Sequence, residues 1–113
     1  MKKYCGNNLF LDDIRNPDYI GLHGLDVVRS SEEAKQYVTT HGCPEFISFD
    51  HDLGGMDTAM HFVKWLINKD MDENGAIIPP NFSFFVHSQN PIGKANIESY
   101  LNNYLRTKDN NVV

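Results

Sequence analysis

The feature that most constrains the fold is a set of short apolar runs, each of which ends abruptly in polar residues. The clearest runs are Asn8 to Leu11, Glu45 to Phe49 and Phe82 to Val86. Short apolar runs without alternation are typical of strands that are buried on both faces, as in a parallel sheet. A weaker run, from Leu25 to Arg29, indicates a further strand. We therefore predict four short strands of one parallel sheet.

Three amphipathic segments alternate with or follow these strands. Ser30 and Glu33 have the spacing of a capping box, which predicts a helix that begins there and ends near His41. Strands alternating with helices predict a three-layer α/β domain with right-handed crossovers. Apolar residues spaced three and four apart indicate the other two helices: Ala59, Phe62, Val63, Leu66 and Ile67 in one, and Ile97, Tyr100, Leu101, Tyr104 and Leu105 in the other.

Two connections differ in character. The residues from Ile14 to Leu25 include Pro17 and two glycines and have no helical period, so we expect an extended or single-turn loop instead of a first crossover helix. Long irregular connections in small domains are often functional, which makes this one a candidate lid. The segment from Asp70 to Pro80 is predicted to be a surface loop.

Length and charge limit the classes of function. The chain has 113 residues, enough for one domain, with an expected core at about 8–105 and a frayed tail at 108–113. Fifteen acidic residues against ten Lys and Arg give a net charge of −5, which disfavours an extended nucleic-acid surface. No apolar run approaches the roughly 20 residues that a membrane-spanning helix needs.

The cysteines point to a reducing setting. Cys5 and Cys43 lie far apart without the spacing of a metal site, and no apolar signal segment is evident at the N-terminus. We interpret both as free thiols that serve in packing, and the cytoplasm is the simplest location.

Polar residues follow three of the predicted strands. Asp12 and Asp13 follow the first strand, and Asp50 with its neighbours His51 and Asp52 follows the third. The fourth is followed by the polar residues His87, Ser88 and Asn90. Ligands of open parallel sheets bind beyond the carboxyl ends of the strands, so these side chains are candidates for one site.

The acidic members of this group suggest a metal site. Asp12, Asp13 and Asp50 offer the oxygen ligands that Mg²⁺ or Mn²⁺ prefers, with water and substrate phosphate completing the shell. The alternative is that Asp13 or Asp52 caps a turn and faces solvent. We favour the metal site.

The remaining candidates would handle protons and phosphate. Histidine is the residue type whose unperturbed pKa lies near neutral pH, so His51 and His87 are candidates for the general base and general acid of a phosphoester hydrolysis, unless they are only histidines in turns. Arg15 could hold a phosphate, as could Lys94 in the first turn of the last helix, unless both are solvated surface residues. Ser88 beside His87 is a weak nucleophile candidate.

Three motifs on three strands resemble the cyclic-phosphate-processing receiver domain family. They are LFLDD at 9–13 with Arg15 and Pro17, ISFDHDLG at 47–54, and VHSQNP at 86–91 with Asn96. The resemblance covers about residues 8–105 and implies a receiver-like, flavodoxin-like fold. Such domains are similar to phosphorelay receivers, and by that similarity Asp12 and Asp13 match the Mg²⁺-binding acidic pair and Asp50 matches the phosphoryl acceptor.

The sequence also departs from an ordinary receiver. Only residues 107–113 follow the last predicted helix, too few and too polar for a fifth strand with its lysine and a further helix, and His51 and Asp52 follow Asp50 directly. The resemblance implies hydrolysis of a cyclic phosphate on a nucleotide or nucleotide-derived small molecule. The alternatives are sequestration of a cyclic nucleotide without cleavage, and a degenerate phosphorelay receiver. The expected partner is a small anionic nucleotide-type ligand, and association of identical chains stays open.

Overall fold

The computed structural model describes residues 7–21 and 24–110. These residues contain every strand and helix that the sequence predicts, with bounds that differ by a residue or two for most of them. The strands are β1 (Asn8–Leu11), β2 (Asp26–Val28), β3 (Phe46–Phe49) and β4 (Ser83–Val86), and the helices are α1 (Ser31–His41), α2 (Ala59–Asp72) and α3 (Pro91–Asn110).

The strands form one parallel sheet in the order β2-β1-β3-β4. Leu11, the last residue of β1, pairs with Val28 on one side and Phe49 on the other, and Phe49 in turn pairs with Val86. All four strands therefore end in line at one edge of the sheet. The predicted receiver-like α/β fold is confirmed.

Side chains on one face of the sheet share a core with all three helices, so the described residues form two layers and not the three that the sequence predicts. Leu9, Leu11, Ile47 and Phe49 belong to this core, together with apolar residues of α1, α2 and α3. Because side chains alternate along a strand, Phe10 and Ser48 point to the opposite face. The same alternation directs the residues two positions further along, Asp12 and Asp50, toward that opposite face as well.

The first crossover is reduced to a single turn, as predicted. A 3₁₀ helix at Pro17–Ile20 stands where a full helix would connect β1 to β2. It ends at Gly21, whose φ of 73° lies in the left-handed region that favours glycine. One half of the predicted capping box is present, since the Ser30 hydroxyl accepts a hydrogen bond from the Glu33 backbone N–H, whereas the Glu33 carboxylate accepts from the Arg29 N–H.

The structure corrects the predictions at the other end of the sheet. The segment predicted as a surface loop begins inside α2, and it includes Ile77 and Ile78, which are buried. α3 continues to Asn110, and Lys108 donates to the Ile78 carbonyl, so the helix includes 108–110, which the sequence analysis assigned to the tail. Residues 111–113 lie outside the described residues. The buried Asp70 carboxylate accounts for the difference, because it accepts hydrogen bonds from the backbone N–H groups of Ile77 and Ile78. Composition alone could not predict this contact.

Two smaller predictions concern the cysteines and the membrane. Cys43 is buried, as expected for a packing residue, and its Sγ lies 3.4 Å from the Pro44 carbonyl, whereas Cys5 lies outside the described residues. Among the helices that the structure describes, none combines the length and apolar character that crossing a membrane would require.

Candidate functional site

Three carboxylates meet at the edge of the sheet where the strands end. Asp12 and Asp13 follow β1, and Asp50 follows β3. One oxygen from each lies within 4.8 Å of one oxygen from each of the others. Asp12 is fully buried and Asp50 is only 7% exposed, so the cluster is set into the protein. The structure thus brings together the three residues that the sequence proposed as metal ligands.

Asp12 is held in one orientation by hydrogen bonds to both of its oxygens. Its Oδ1 accepts from the backbone N–H groups of Ile14 and Arg15, each at 2.9 Å, and its Oδ2 lies 3.0 Å from His87 Nε2. Burial alone would raise the pKa of Asp12, but the two backbone hydrogen bonds and His87 outweigh it and lower that pKa. Asp12 is therefore a fixed, charged carboxylate.

Asp50 is in the opposite electrostatic position. Burial and the negative charge of Asp12 raise its pKa, and electrostatic attraction from His87, a hydrogen bond from Ser88 and the positive charge of Arg15 counter this only in part. Two neighbouring buried carboxylates that repel each other are a setting that a cation would relieve. An all-oxygen donor set of this kind fits Mg²⁺ or Mn²⁺, and the residues present therefore fit the predicted ion.

A pocket of about 410 Å³ opens over the cluster. Its volume falls within the range of roughly 300–1,000 Å³ that small-molecule sites occupy. Ten residues line the pocket. Six of them are predicted site residues, and the other four were not predicted to contact a ligand. The lining residues are Asp12, Asp13, Ile14, Arg15, Asp50, Asp52, Gly54, Ser88, Gln89 and Asn90.

His87 is buried behind this pocket and is not part of its wall. Its side chain is 1% exposed and stacks on Phe10, with ring centroids 4.6 Å apart. Nδ1 lies 2.7 Å from the Ser48 hydroxyl and Nε2 lies 3.0 Å from Asp12 Oδ2, so both ring nitrogens have partners within the protein. A role for His87 in proton transfer stays a prediction. Because His87 Nε2 contacts Asp12 Oδ2, such a transfer would pass through the Asp12 carboxylate.

His51 and Lys94 belong to the described residues, and they also lie outside the pocket wall. His51 Nδ1 lies 3.0 Å from Asp52 Oδ1, and the His51 ring packs on Gly93, where a Cβ would come within 2.6 Å of three ring atoms. The Lys94 ammonium lies 5.9 Å from the centre of the Phe85 ring on the edge strand β4. The His51 contact requires glycine at position 93.

Asn90 connects the start of α3 to the rim of the pocket. Its Oδ1 accepts from the Gly93 N–H at 3.0 Å, the bond of a helix N-cap, and its backbone N–H donates to the Ser88 hydroxyl. The Asn90 side-chain amide also faces Asp52 Oδ2 at 3.4 Å. The hydrogen bond with His51 is the main cause that lowers the pKa of Asp52.

Arg29 is a site residue that the sequence did not identify. It follows β2, and its guanidinium donates to the carbonyls of Asp12 and Arg15 and to the Asn16 side-chain oxygen. Only its position at a strand end could have singled it out, because an arginine beside a capping box otherwise resembles a surface residue.

Comparison with known proteins gives one match. The family model described as "Cyclic-phosphate processing Receiver domain" matches residues 7–103. Comparison with curated proteins gave no match, and neither did comparison with solved structures. The family model covers most of the chain, including all three strand-end motifs and the pocket built from them. The chain belongs to the cyclic-phosphate processing receiver domain family.

Proposed function

We propose that this protein hydrolyses a cyclic phosphate on a nucleotide or nucleotide-derived small molecule. One observation carries the proposal: the cluster of Asp12, Asp13 and Asp50 and the cationic side chain of Arg15 line the same pocket. That combination suits a phosphate group that arrives with a divalent cation. Membership of a family linked to cyclic-phosphate processing supports the choice of substrate class.

The acidic cluster makes a cation necessary for binding. Three carboxylates close together would repel the negative charge of a phosphodiester unless a cation lay between them. Asp12, Asp13 and Asp50 would hold Mg²⁺ or Mn²⁺. When bound, the ion would stabilise the charge that develops on the phosphoryl oxygens.

The other residues of the pocket would bind and orient the phosphate. Arg15 carries a guanidinium whose planar fork matches phosphate oxygens, and its charge already acts on Asp50. Ser88 and Asn90 add a hydroxyl and an amide at the opposite side, from the end of β4. Together they would present the phosphorus to a water molecule on the side of the pocket that faces solvent.

In the proposed reaction, water supplies the oxygen that forms the new bond to phosphorus. One P–O bond of the ring breaks, and the sugar oxygen that leaves takes up a proton, so that the product is a phosphomonoester beside a free hydroxyl. Proton transfer is assigned to the two histidines. His51 would act from the rim beside Asp52, and His87 would act through the carboxylate of Asp12.

The test is incubation with cyclic phosphates of both common geometries. We expect the protein to convert 2′,3′-cyclic or 3′,5′-cyclic nucleotides, or oligonucleotides that end in a cyclic phosphate, to monoesters in the presence of Mg²⁺ or Mn²⁺ but not in EDTA. Arg15→Met should weaken substrate binding, whereas Arg106→Met, on the exposed end of α3, should not. No turnover of any member of this panel would contradict the proposal.

A second candidate is binding without cleavage, and one observation favours it. Neither His51 nor His87 lines the pocket, so substrate would meet carboxylates and not an imidazole. If the protein sequesters a cyclic nucleotide, the ligand would be recovered intact after denaturation of the complex. Affinity would then survive substitution of both histidines but not Arg15→Ala.

A further inference from the structure

The segment from Asp12 to Asn16, which we call the acidic loop, is held at several points although it contains no helix or strand. From within, the Asp12 carboxylate accepts from the backbone N–H groups of Ile14 and Arg15. From outside, the guanidinium of Arg29 donates to three acceptors of the same loop. Its Nη1 lies 3.2 Å from the Asp12 carbonyl and 2.5 Å from the Arg15 carbonyl, and its Nη2 lies 2.7 Å from Asn16 Oδ1.

Arg29 is itself fixed at its backbone. Its N–H donates to Glu33 Oε1 at 2.8 Å, and Glu33 belongs to the first turn of α1. The preceding residue, Val28, accepts from the Asp12 N–H at 3.1 Å. The base of the Arg29 side chain is thus anchored between β2 and α1, and its tip reaches across to the loop that follows β1.

The acceptors show that this arginine does not act as an ion-pair partner in these contacts. Two are backbone carbonyls and one is a side-chain amide, so the bonds define positions along the loop and do not neutralise a carboxylate. A planar guanidinium can meet several acceptors at fixed angles, which the ammonium group of lysine cannot. These contacts of Arg29 therefore fix the conformation of the loop and do not balance its charge.

We propose that Arg29 is the positioning residue that holds the acidic loop in the conformation in which Asp13 and Arg15 line the pocket. Asp13 lies between the Asp12 and Arg15 carbonyls that Arg29 holds, and Arg15 is held through its own carbonyl. The side chains of Asp13 and Arg15 both reach the pocket wall. Arg29 would act through Arg15 on the phosphate and would not touch it. The part of this inference that concerns phosphate rests on the proposed function, whereas the part that concerns the loop does not.

Amide hydrogen exchange tests the loop directly. In Arg29→Met, we expect the Ile14 and Arg15 amides to exchange about tenfold faster, while the amides of α2 keep their rates, because local and global opening are separable in native-state exchange. Arg29→Lys should resemble the methionine variant, and Arg106→Met should leave the loop unchanged. Equal acceleration of all protected amides would mean a general loss of stability and would overturn the proposal, as would full protection in Arg29→Lys.

Binding of inorganic phosphate in the presence of Mg²⁺ tests the action through Arg15. We expect Arg29→Met to raise the dissociation constant about tenfold in the wild-type background but by less than about threefold in an Arg15→Met background, because the two residues act as one unit. Independent, additive effects would contradict the proposal. If the wild-type protein binds no phosphate, the action of Arg29 through Arg15 is contradicted, whereas the turnover assay still decides the proposed function and the exchange rates still decide whether Arg29 holds the loop.

Discussion

His87 Nε2 lies 3.0 Å from Asp12 Oδ2, and each of the two side chains is only 1% exposed. The histidine comes from the end of β4 and the aspartate from the end of β1, so the contact spans the sheet across β3. Ser48, on β3 between them, occupies the other ring nitrogen. One buried imidazole therefore joins three strands beside the cluster of carboxylates.

This arrangement predicts how substitutions at His87 affect stability. His87→Phe removes the partner of Asp12 Oδ2 and of the Ser48 hydroxyl, and a buried polar group left without a hydrogen bond costs about 1–3 kcal/mol. His87→Gln keeps a donor and an acceptor, although both lie at the end of one flexible chain, and should lose less. Urea unfolding of both variants checks the order. A phenylalanine variant as stable as the wild type would contradict the hydrogen-bonded role.

Asp50→Asn should have opposite effects on stability and on metal binding. The pKa of Asp50 is raised in the folded protein, so its charge destabilises the fold at neutral pH, and that penalty disappears as the pH falls below the raised pKa. Without metal, the variant should therefore melt at a higher temperature than the wild type at pH 7. Its Mg²⁺ affinity should fall at least about tenfold, since even the loss of an outer-shell partner costs this much.

Calorimetry with and without Mg²⁺ measures both effects, and Asp72→Asn, at the exposed end of α2, is the matched control. A lower melting temperature of metal-free Asp50→Asn would contradict the electrostatic description of the cluster. Unchanged Mg²⁺ binding would contradict the assignment of Asp50 as a ligand.

Much of the site follows from the sequence because of one geometric rule. Parallel strands end at the same edge, so residues within two positions of the ends of β1, β3 and β4 are expected to be neighbours, and Asp12, Asp50 and Ser88 do line one pocket. The orientation of a side chain relative to the pocket does not follow from this rule. His87 has the same strand-end position as Asp50 but is packed behind the pocket on Phe10.

The sequence could not reveal contacts between residues far apart in the chain. Arg29 meets the acidic loop only because β2 lies beside β1, and Asp70 is buried only because α3 returns over the end of α2. A charged residue beside a helix end is typical of the surface. In each case a long-range hydrogen-bond network reverses that expectation.

The lowered pKa of Asp70 predicts that the folded protein loses stability in acid. Burial raises its pKa, but hydrogen bonds from Tyr104, Lys108 and two backbone N–H groups together lower it below the usual value of 3.8. The unfolded chain therefore binds this proton more readily than the folded one. The stabilisation is complete above about pH 3.8 and declines as the pH falls toward the lower folded pKa. Asp70→Asn should flatten the acid limb of the stability profile.

Substitution of Tyr104 tests the hydrogen bonds of Asp70 without removing the charge of its carboxylate. Its hydroxyl donates to Asp70 Oδ2 at 2.6 Å, and burial and that carboxylate raise the pKa of Tyr104. Tyr104→Phe should cost about 1.5–3 kcal/mol, the value of a hydrogen bond to a charged group. Tyr100→Phe, at an exposed position on the same helix, should cost much less. Equal costs in chemical denaturation would contradict the network.

The contact between His51 and Gly93 predicts a steric interaction that a second substitution relieves. Gly93→Ala places a Cβ within 2.6 Å of His51 ring atoms and should destabilise the fold by about 1–3 kcal/mol. Gly93→Ala combined with His51→Ala should recover most of that loss, because the ring is absent. If the double variant is as unstable as the sum of the single variants, the contact is not the cause.

The most direct test of the proposed function follows the oxygen of water into the product. A cyclic nucleotide that the protein accepts is incubated with the protein and Mg²⁺ or Mn²⁺ in ¹⁸O-labelled water, and the phosphorus NMR spectrum is recorded. We predict a phosphomonoester that carries one ¹⁸O per phosphorus, with no such product from Asp50→Asn or in EDTA. A cyclic phosphate that stays unopened while bound to the protein would contradict hydrolysis and identify the pocket as a binding site.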